Sequence, residues 1–200
     1  MTRVTRSAHA AATCSIFAAV VACAAATEPR PAACDARASD VLASVRRDSV
    51  PQPASSFRTI DDESADVARQ APGGYAGIYR DDAGRLVVLL RDTTDVAATL
   101  RALTPLLAAL YGGRLGPLDG AQVVKTRWDF AQLQDWYRYL QPRVWLAGEV
   151  TVTDIDEVRN QLMFGVRDEG ARSAVESVLR TLDVPCGLVS VKVAAPVIAY

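Results

Sequence analysis

Between Val150 and Leu182 the spacing of apolar positions changes from two residues to between three and four. Leu162, Phe164 and Val166 alternate with Gln161, Met163, Gly165 and Arg167, the period of a strand lying over a core. Val150 to Ile155 reads as the strand before it. Glu157-Val158-Arg159-Asn160 has the length of a tight turn, and Asn160 tolerates the left-handed backbone such a turn needs. Asp168 then has the chemistry of a helix N-cap. Beyond it Ala171, Val175, Val178, Leu179 and Leu182 fall on one helical face, while Arg172, Glu176 and Arg180 stand four apart on the other. The whole stretch predicts strand, turn, strand, helix.

The same pattern occurs once before. Setting Arg85–Asp92 on Gln161–Asp168 brings identical residues together at Leu86, Arg91 and Asp92. It also sets Gly84 on Asn160, and Gly and Asn are the residues that best accept a positive φ. We read two related halves, residues 74–127 and 128–200, each turning at that position. On this reading a bulky side chain at Gly84 is strained, and Asn160→Gly costs little.

The intervening chain extends the picture. Tyr75 to Arg80 is the first strand of the earlier hairpin. Thr94 or Asp95 caps a helix carrying Val96, Leu100, Leu103, Leu107 and Leu110. Its apolar period survives Pro105, which predicts one kinked helix, and Tyr111-Gly112-Gly113 stops it. Gln122 to Arg127 reads as a strand. Asp129 with Gln132 forms a capping-box pattern, and Phe130, Leu133, Tyr137 and Leu140 share the face that follows. Trp136 falls at the edge of that face and Tyr139 beyond it, which makes them candidates for an exposed contact pair. From Gln122 onward the order is strand, helix, strand, strand, helix, strand. It predicts an α+β fold: a ferredoxin-like βαββαβ unit preceded by a related ββα unit, with antiparallel sheet and helices on one face.

The N-terminal part is of another kind. Arg3 and Arg6 precede an uncharged, Ala-rich run from Ala8 to Ala26, the pattern of a secretory signal. Its exit has two readings. Ala24-Ala25-Ala26 suits ordinary cleavage, giving a signal peptide over 1–26. Val20-Val21-Ala22-Cys23 suits a bacterial lipoprotein signal over 1–22, with acylation of Cys23. Either way the protein is exported, to the cell envelope or beyond it. Residues 27–73 read as a Pro-rich extension, with Glu28-Pro29-Arg30-Pro31 and Val50-Pro51-Gln52-Pro53 as stiff spacers. Short helices are expected over Asp40–Arg47 and Asp61–Gln70, the second opening on solvated acids. Export also favours a disulfide between Cys34 and Cys186 over two free thiols.

Composition narrows the chemistry. His9 is the only histidine and lies in the leader. The exported part therefore lacks the usual base of Ser-His-Asp or Cys-His hydrolysis and the usual ligands of zinc. Lys125 and Lys192 are the only lysines, which gives Schiff-base chemistry little support. The net charge of −1 becomes more negative once Arg3 and Arg6 leave, the wrong sign for a nucleic-acid binder. No cofactor or metal is expected, and membrane contact only through the leader or a lipid anchor. Asp154, Asp156 and Glu157 cluster at the second hairpin. They read either as a polar turn or as carboxylates for acid–base chemistry.

The hairpin Ile155-Asp156-Glu157-Val158-Arg159-Asn160-Gln161-Leu162-Met163-Phe164, with Phe130-Ala131-Gln132-Leu133 before it, resembles the pro-regions of secreted chymotrypsin-like bacterial proteases of the alpha-lytic and streptogrisin type. The resemblance spans Tyr75 to Val193 in architecture and the hairpin in detail. It implies small αβ units that assist folding of a protease and inhibit it afterwards. No Gly-Asp-Ser-Gly-Gly stands in these residues, so the resemblance implies a module that acts on a partner in trans or one reused for another purpose. The leading expectation is an exported, non-enzymatic binding module whose partner is an exported serine protease. The apolar tail, with Val197, Ile198 and Tyr200 as contact residues, would be inserted as an extended strand. The alternatives are a cell-envelope lipoprotein with a structural or interaction role, and a carboxylate-dependent enzyme.

Intact-mass analysis of the protein from an exporting host should find a mature N-terminus at acylated Cys23 or just after Ala26. An exported chain still beginning at Met1 would contradict the leader.

Overall fold

The computed structural model describes residues 58–182 and 184–195. Cys23, Cys34, the helix expected over 40–47, and Val197, Ile198 and Tyr200 lie outside the described residues. The elements run α1 (Ile60–Gln70), β1 (Tyr75–Arg80), β2 (Leu86–Leu90), α2 (Val96–Tyr111), β3 (Gln122–Lys125), α3 (Phe130–Ala147), β4 (Val150–Asp156), β5 (Gln161–Val166), α4 (Glu169–Thr181) and β6 (Val189–Val193). None of these helices is long and apolar enough to cross a membrane.

The class is α+β, with helices packed against two three-stranded sheets, β1-β2-β3 and β4-β5-β6. The ferredoxin-like arrangement is not formed. It would need β3 in the sheet of β4 to β6, but β3 lies beside β2, with Val88 opposite Val123. The sheets are also mixed rather than antiparallel. In each, a hairpin is followed by a helix that returns the chain parallel to the second hairpin strand. A helical crossover is what parallel neighbours require, and α2 and α4 supply it. The chain is thus an α-β-β-α-β unit made twice.

The second unit begins with α3, which lies at the centre of the molecule. Phe130, Leu133, Trp136, Leu140 and Val144 of α3 are buried together with Tyr75, Val88, Leu90, Leu103 and Leu107 of the first unit and Leu162, Phe164, Val166 and Val175 of the second. The first unit begins with α1, and this moves a boundary. Residues 27–73 read as an extension, yet Ala65, Val67, Ala68 and Ala71 are part of the same core. Nor are the acids opening α1 all solvated. Asp62 is buried, completes a capping box with Thr59, and accepts a hydrogen bond from Gln134 Nε2 at 2.6 Å. It also pairs with the Arg138 guanidinium. Burial opposes its charge, but the Thr59 backbone, Gln134 and Arg138 hold the carboxyl below the ordinary range.

Caps define the other helices. Asp95 accepts from Ala98 N, Asp129 from Gln132 N and Asp168 from Ala171 N. α2 continues through Pro105 and ends at Gly112, which is left-handed. Both hairpins carry an irregularity in their first strand, between Tyr75 and Gly77 and between Val150 and Val152. Beside it Gly77 faces Leu89 in one sheet and Val152 faces Gly165 in the other. A Cβ on Gly165 would lie 2.3 Å from Val152 Cγ1, so the glycine is what admits the valine.

Gly84 and Asn160 both have positive φ, 76° and 53°. Their surroundings differ. A Cβ on Gly84 would meet nothing within 4 Å. Asn160 is buried, and its Oδ1 accepts from Arg127 N at 3.1 Å and Trp128 N at 2.9 Å. Its Nδ2 donates to Trp128 O at 2.9 Å. The side chain therefore grips the crossing between the two units. The expectation that Asn160→Gly is cheap is corrected: the backbone would be relieved, but three hydrogen bonds would go.

Asn160→Gly should destabilise the protein by about 2–4 kcal/mol, since buried backbone donors lose their acceptor. Gly84→Asn should change stability by no more than about 0.5 kcal/mol. Urea unfolding of both variants measures the difference.

Candidate functional site

The aromatic pair on α3 is not an exposed contact surface. Trp136 is 1% exposed. It follows Leu133 by three and precedes Leu140 by four, which sets it on the buried stripe of a helix enclosed from more than one side. Tyr139 is half-buried and meets the Trp136 ring edge-on, with centroids 5.7 Å apart. The Arg143 guanidinium covers the Tyr139 ring at 4.0 Å. The pair belongs to the packing of α3. Cys186 is disulfide-bonded, and every other cysteine, Cys34 included, lies outside the described residues. Arg127 Nη1 donates to the Cys186 carbonyl at 2.7 Å, which ties that loop to the crossing held by Asn160.

A different group of side chains comes together around Glu157, in the turn after β4. Glu157 lies flat against the β1 bulge. A Cβ on Gly77, whose φ is 141°, would meet Glu157 Cβ at 3.1 Å, Cγ at 3.3 Å and Cδ at 3.4 Å. A side chain at Gly77 would crowd the acid of the other unit by a few tenths of an ångström and strain the backbone at that positive φ. Burial first, then the charges of Asp61, Asp154 and Asp156, push the Glu157 carboxyl up to about 7. Asp61, on the first turn of α1, is raised by burial and then by Asp154 and Asp62. Asp156 behaves otherwise: against burial, the side chain and backbone N–H of Arg159 hold its carboxyl low.

Three phenols complete the group. Tyr75 is fully buried, and its hydroxyl makes no hydrogen bond of normal geometry. Burial raises its pKa, and so do Tyr111 and Glu157 beside it. Tyr111, at the end of α2, is raised by burial and then by Glu157, with Tyr75 and Ser64 as polar neighbours. Tyr137 of α3 shares a 2.7 Å hydrogen bond with Thr153 Oγ1 and accepts from Gln141 Nε2 at 3.1 Å. Burial raises it too, with Asp61 and Asp154 acting in the same direction.

Side chains from α1, β1, α2, α3 and the β4 hairpin thus converge on one acidic, aromatic site between the two units. Among the described residues, Asp61, Asp154 and Glu157 enter no ion pair, although eleven such pairs hold other carboxylates. No three carboxylates there stand close enough to hold a metal ion. Asp154 and Glu157 were legible as an acidic hairpin end. Asp61 was not joined to them, because its segment read as extension. Nothing in local spacing linked Tyr75 or Tyr111 to the hairpin.

A concavity of about 370 Å³ lies at the junction away from Glu157. Tyr79, Leu89, Val124, Trp128, Val158 and Arg159 are among the residues that line it. Lys125, Arg127 and Arg159 bring positive charge to its walls, with Thr126 and Asn160 beside them.

No protein-family model matches the chain, and no curated protein sequence matches it.

Glu157 gives stability a definite pH dependence. Its folded pKa lies above its unfolded value, so the folded state binds the extra proton. The destabilisation is absent at and below about pH 4, grows as pH rises towards 7, and is constant above. Glu157→Gln should therefore stabilise the protein at pH 8 by about 1–2 kcal/mol after allowance for solvent screening. It should have little effect near pH 3.5, below both the folded and the unfolded pKa, where the carboxyl is neutral in either state. Chemical unfolding at the two pH values measures the contrast.

Proposed function

We propose that the chain is an exported, non-enzymatic binding module, a pro-region-like inhibitor or folding modulator of an exported serine protease. The observation that carries this reading is the place of β6. It pairs with β5 alone and forms one edge of its sheet. Val193, at its end, is 47% exposed, and the chain continues from there into Ala194 and the apolar segment Pro196–Tyr200. An edge strand followed in sequence by an apolar segment suits strand addition to a cleft, where main-chain bonds give affinity and side chains fill pockets. Pro196 lacks the N–H that a regular ladder would use. Val197, Ile198 and Tyr200 are then the contact residues.

The hairpin that carries the resemblance supports the same reading. It forms two strands of the sheet whose edge is β6, so the part most like a protease pro-region also braces the proposed contact. Lipid on Cys23 would change where the module is held and not how it binds.

Deleting Val197–Tyr200 should weaken inhibition or folding assistance of an alpha-lytic or streptogrisin-type protease by about tenfold or more, as loss of interface anchors does. The melting temperature should move by less than about 2 °C, which is under 1 kcal/mol for a domain of this size. If the intact chain neither binds, inhibits nor helps to fold such a protease, the proposal is wrong.

A further inference from the structure

The concavity at the junction plays no part in the strand-addition reading, and its wall has two chemically distinct parts. One part is a sheet face. Along β2, Val88 and Leu90 enter the main core, while Val87 and Leu89 alternate to the opposite face and pack with Tyr79 and Val124. Tyr79, Leu89 and Val124 of that opposite face line the cavity. Val158, in the turn between β4 and β5, lines it from the second unit and is 60% exposed.

The other part is cationic, and its two guanidiniums are held in place. The Arg127 guanidinium lies 4.5 Å from the centroid of the Trp128 ring, and its Nη1 donates to the Cys186 carbonyl at 2.7 Å. Arg159 Nη1 donates to Asp156 Oδ2 at 2.8 Å, and its backbone N–H to Oδ1 of the same carboxylate at 3.0 Å. A guanidinium has five N–H donors. Each of these side chains uses one in the bonds just given, so most of each fork is left for a ligand. Side chains already held lose less freedom on binding.

Charge limits what the ligand is. Arg159 is balanced by Asp156, and Lys125, the third cation on the wall, also acts on Asp92. Arg127 enters none of the ion pairs among the described residues. One positive charge is thus left to be matched, and it stands beside apolar surface. A carboxylate brings one negative charge in a plane that a guanidinium fork meets with two parallel bonds. A phosphate brings about two negative charges and no apolar surface. A volume of about 370 Å³ suits a small ligand, whose pockets are mainly apolar with a few placed polar groups.

We propose that this cavity binds a carboxylate carried on an aromatic or branched aliphatic group, with the carboxylate on Arg127 and Arg159 and the apolar group over Tyr79 and Val158. A free organic acid and the C-terminal residue of a peptide both present that chemistry. The site uses neither β6 nor the segment after it. It is tested on the full chain alone, so it stands or falls independently of the protease reading.

The probe is hydrocinnamate, added to the isotope-labelled full chain at pH 7 and followed by backbone and arginine side-chain NMR shifts. Saturable shifts at Arg127, Val158 and Arg159 are expected with a Kd of about 1 mM, the affinity that roughly ten non-hydrogen atoms support. Hydrocinnamide, the neutral analogue, should bind at least about tenfold more weakly. Inorganic phosphate should displace the probe only at a concentration at least about tenfold higher, since it buries no apolar surface. Arg127→Gln should weaken binding at least about tenfold, and Arg127→Lys less, because lysine keeps the charge and loses the fork. Arg127 also braces Cys186 and Trp128, so a second variant is needed that leaves those contacts alone. Val158→Glu, at an exposed position, should abolish binding with the melting temperature unchanged. The tripeptide acetyl-Ala-Ala-Phe with a free carboxylate separates the two sources: binding at least as tight as the probe's assigns the site to chain ends, and weaker binding assigns it to free acids. The proposal is overturned if the amide binds as well as the acid, if phosphate competes at equal concentration, if the shifts do not saturate, or if Val158→Glu binds the probe unchanged.

Discussion

The joint between the two units depends on one carboxamide. Asn160 turns the second hairpin, and through the same residue it satisfies the backbone of Arg127 and Trp128 where the chain passes from one unit to the next. Those groups are removed from water by Trp128, which is 3% exposed. They could not stay there unpaired without a cost comparable to a large fraction of a domain's net stability. Once the crossing is held, the start of α3 follows directly, because Asp129 is the next residue and caps it. The rest of the core is then laid against α3 from both sides. A turn conformation, a tertiary hydrogen-bond set and a helix origin are joined within a few ångströms.

The two units are alike in topology and unlike in use. Each has a hairpin with an irregular first strand, a crossover helix and a parallel third strand. The glycine beside the irregularity, however, lies on the first strand in one unit and on the second strand in the other. In the first unit the vacancy belongs to Gly77 and receives Glu157. In the second it belongs to Gly165 and receives Val152 and Ala194. One small residue opposite one large one keeps the volume of the pair nearly constant, which is the kind of exchange packed interiors tolerate. The consequence for the site is that its most buried acid comes from one copy and the space for it from the other.

Much of this was legible in the residues, for local reasons. Asp129 with Gln132, Asp168 before its helix, Gly112 after α2 and the alternation through Leu162, Phe164 and Val166 all report on their own few neighbours. The partner of β3 does not, because pairing with β2 rather than with β4 is decided by the crossover helix and by which core face is free. Trp136 was placed too near the surface since helical spacing gives a direction and not the number of elements packed there. α1 was read as part of an extension because it buries alanines. Ala65 and Ala68 give a weak apolar signal beside Asp61, Asp62 and Glu63, although their small size is what lets the helix approach α3. The acidic site was half visible for the same reason: its hairpin residues are adjacent in sequence, whereas Asp61, Tyr75 and Tyr111 meet them only through the duplicated fold.

The solvent-facing turn of the first unit has a consequence of its own. Arg80 and Arg85 both bond within that turn, to the Gly84 carbonyl and to Asp81. The loop closes on itself and touches no other element at Gly84. Its counterpart is bound into the joint between units and cannot be lengthened without releasing it. The earlier turn is therefore the natural point at which to open or extend the chain. New termini, a reporter or an inserted epitope placed between Asp82 and Gly84 would leave the core, the joint and the acidic site in place.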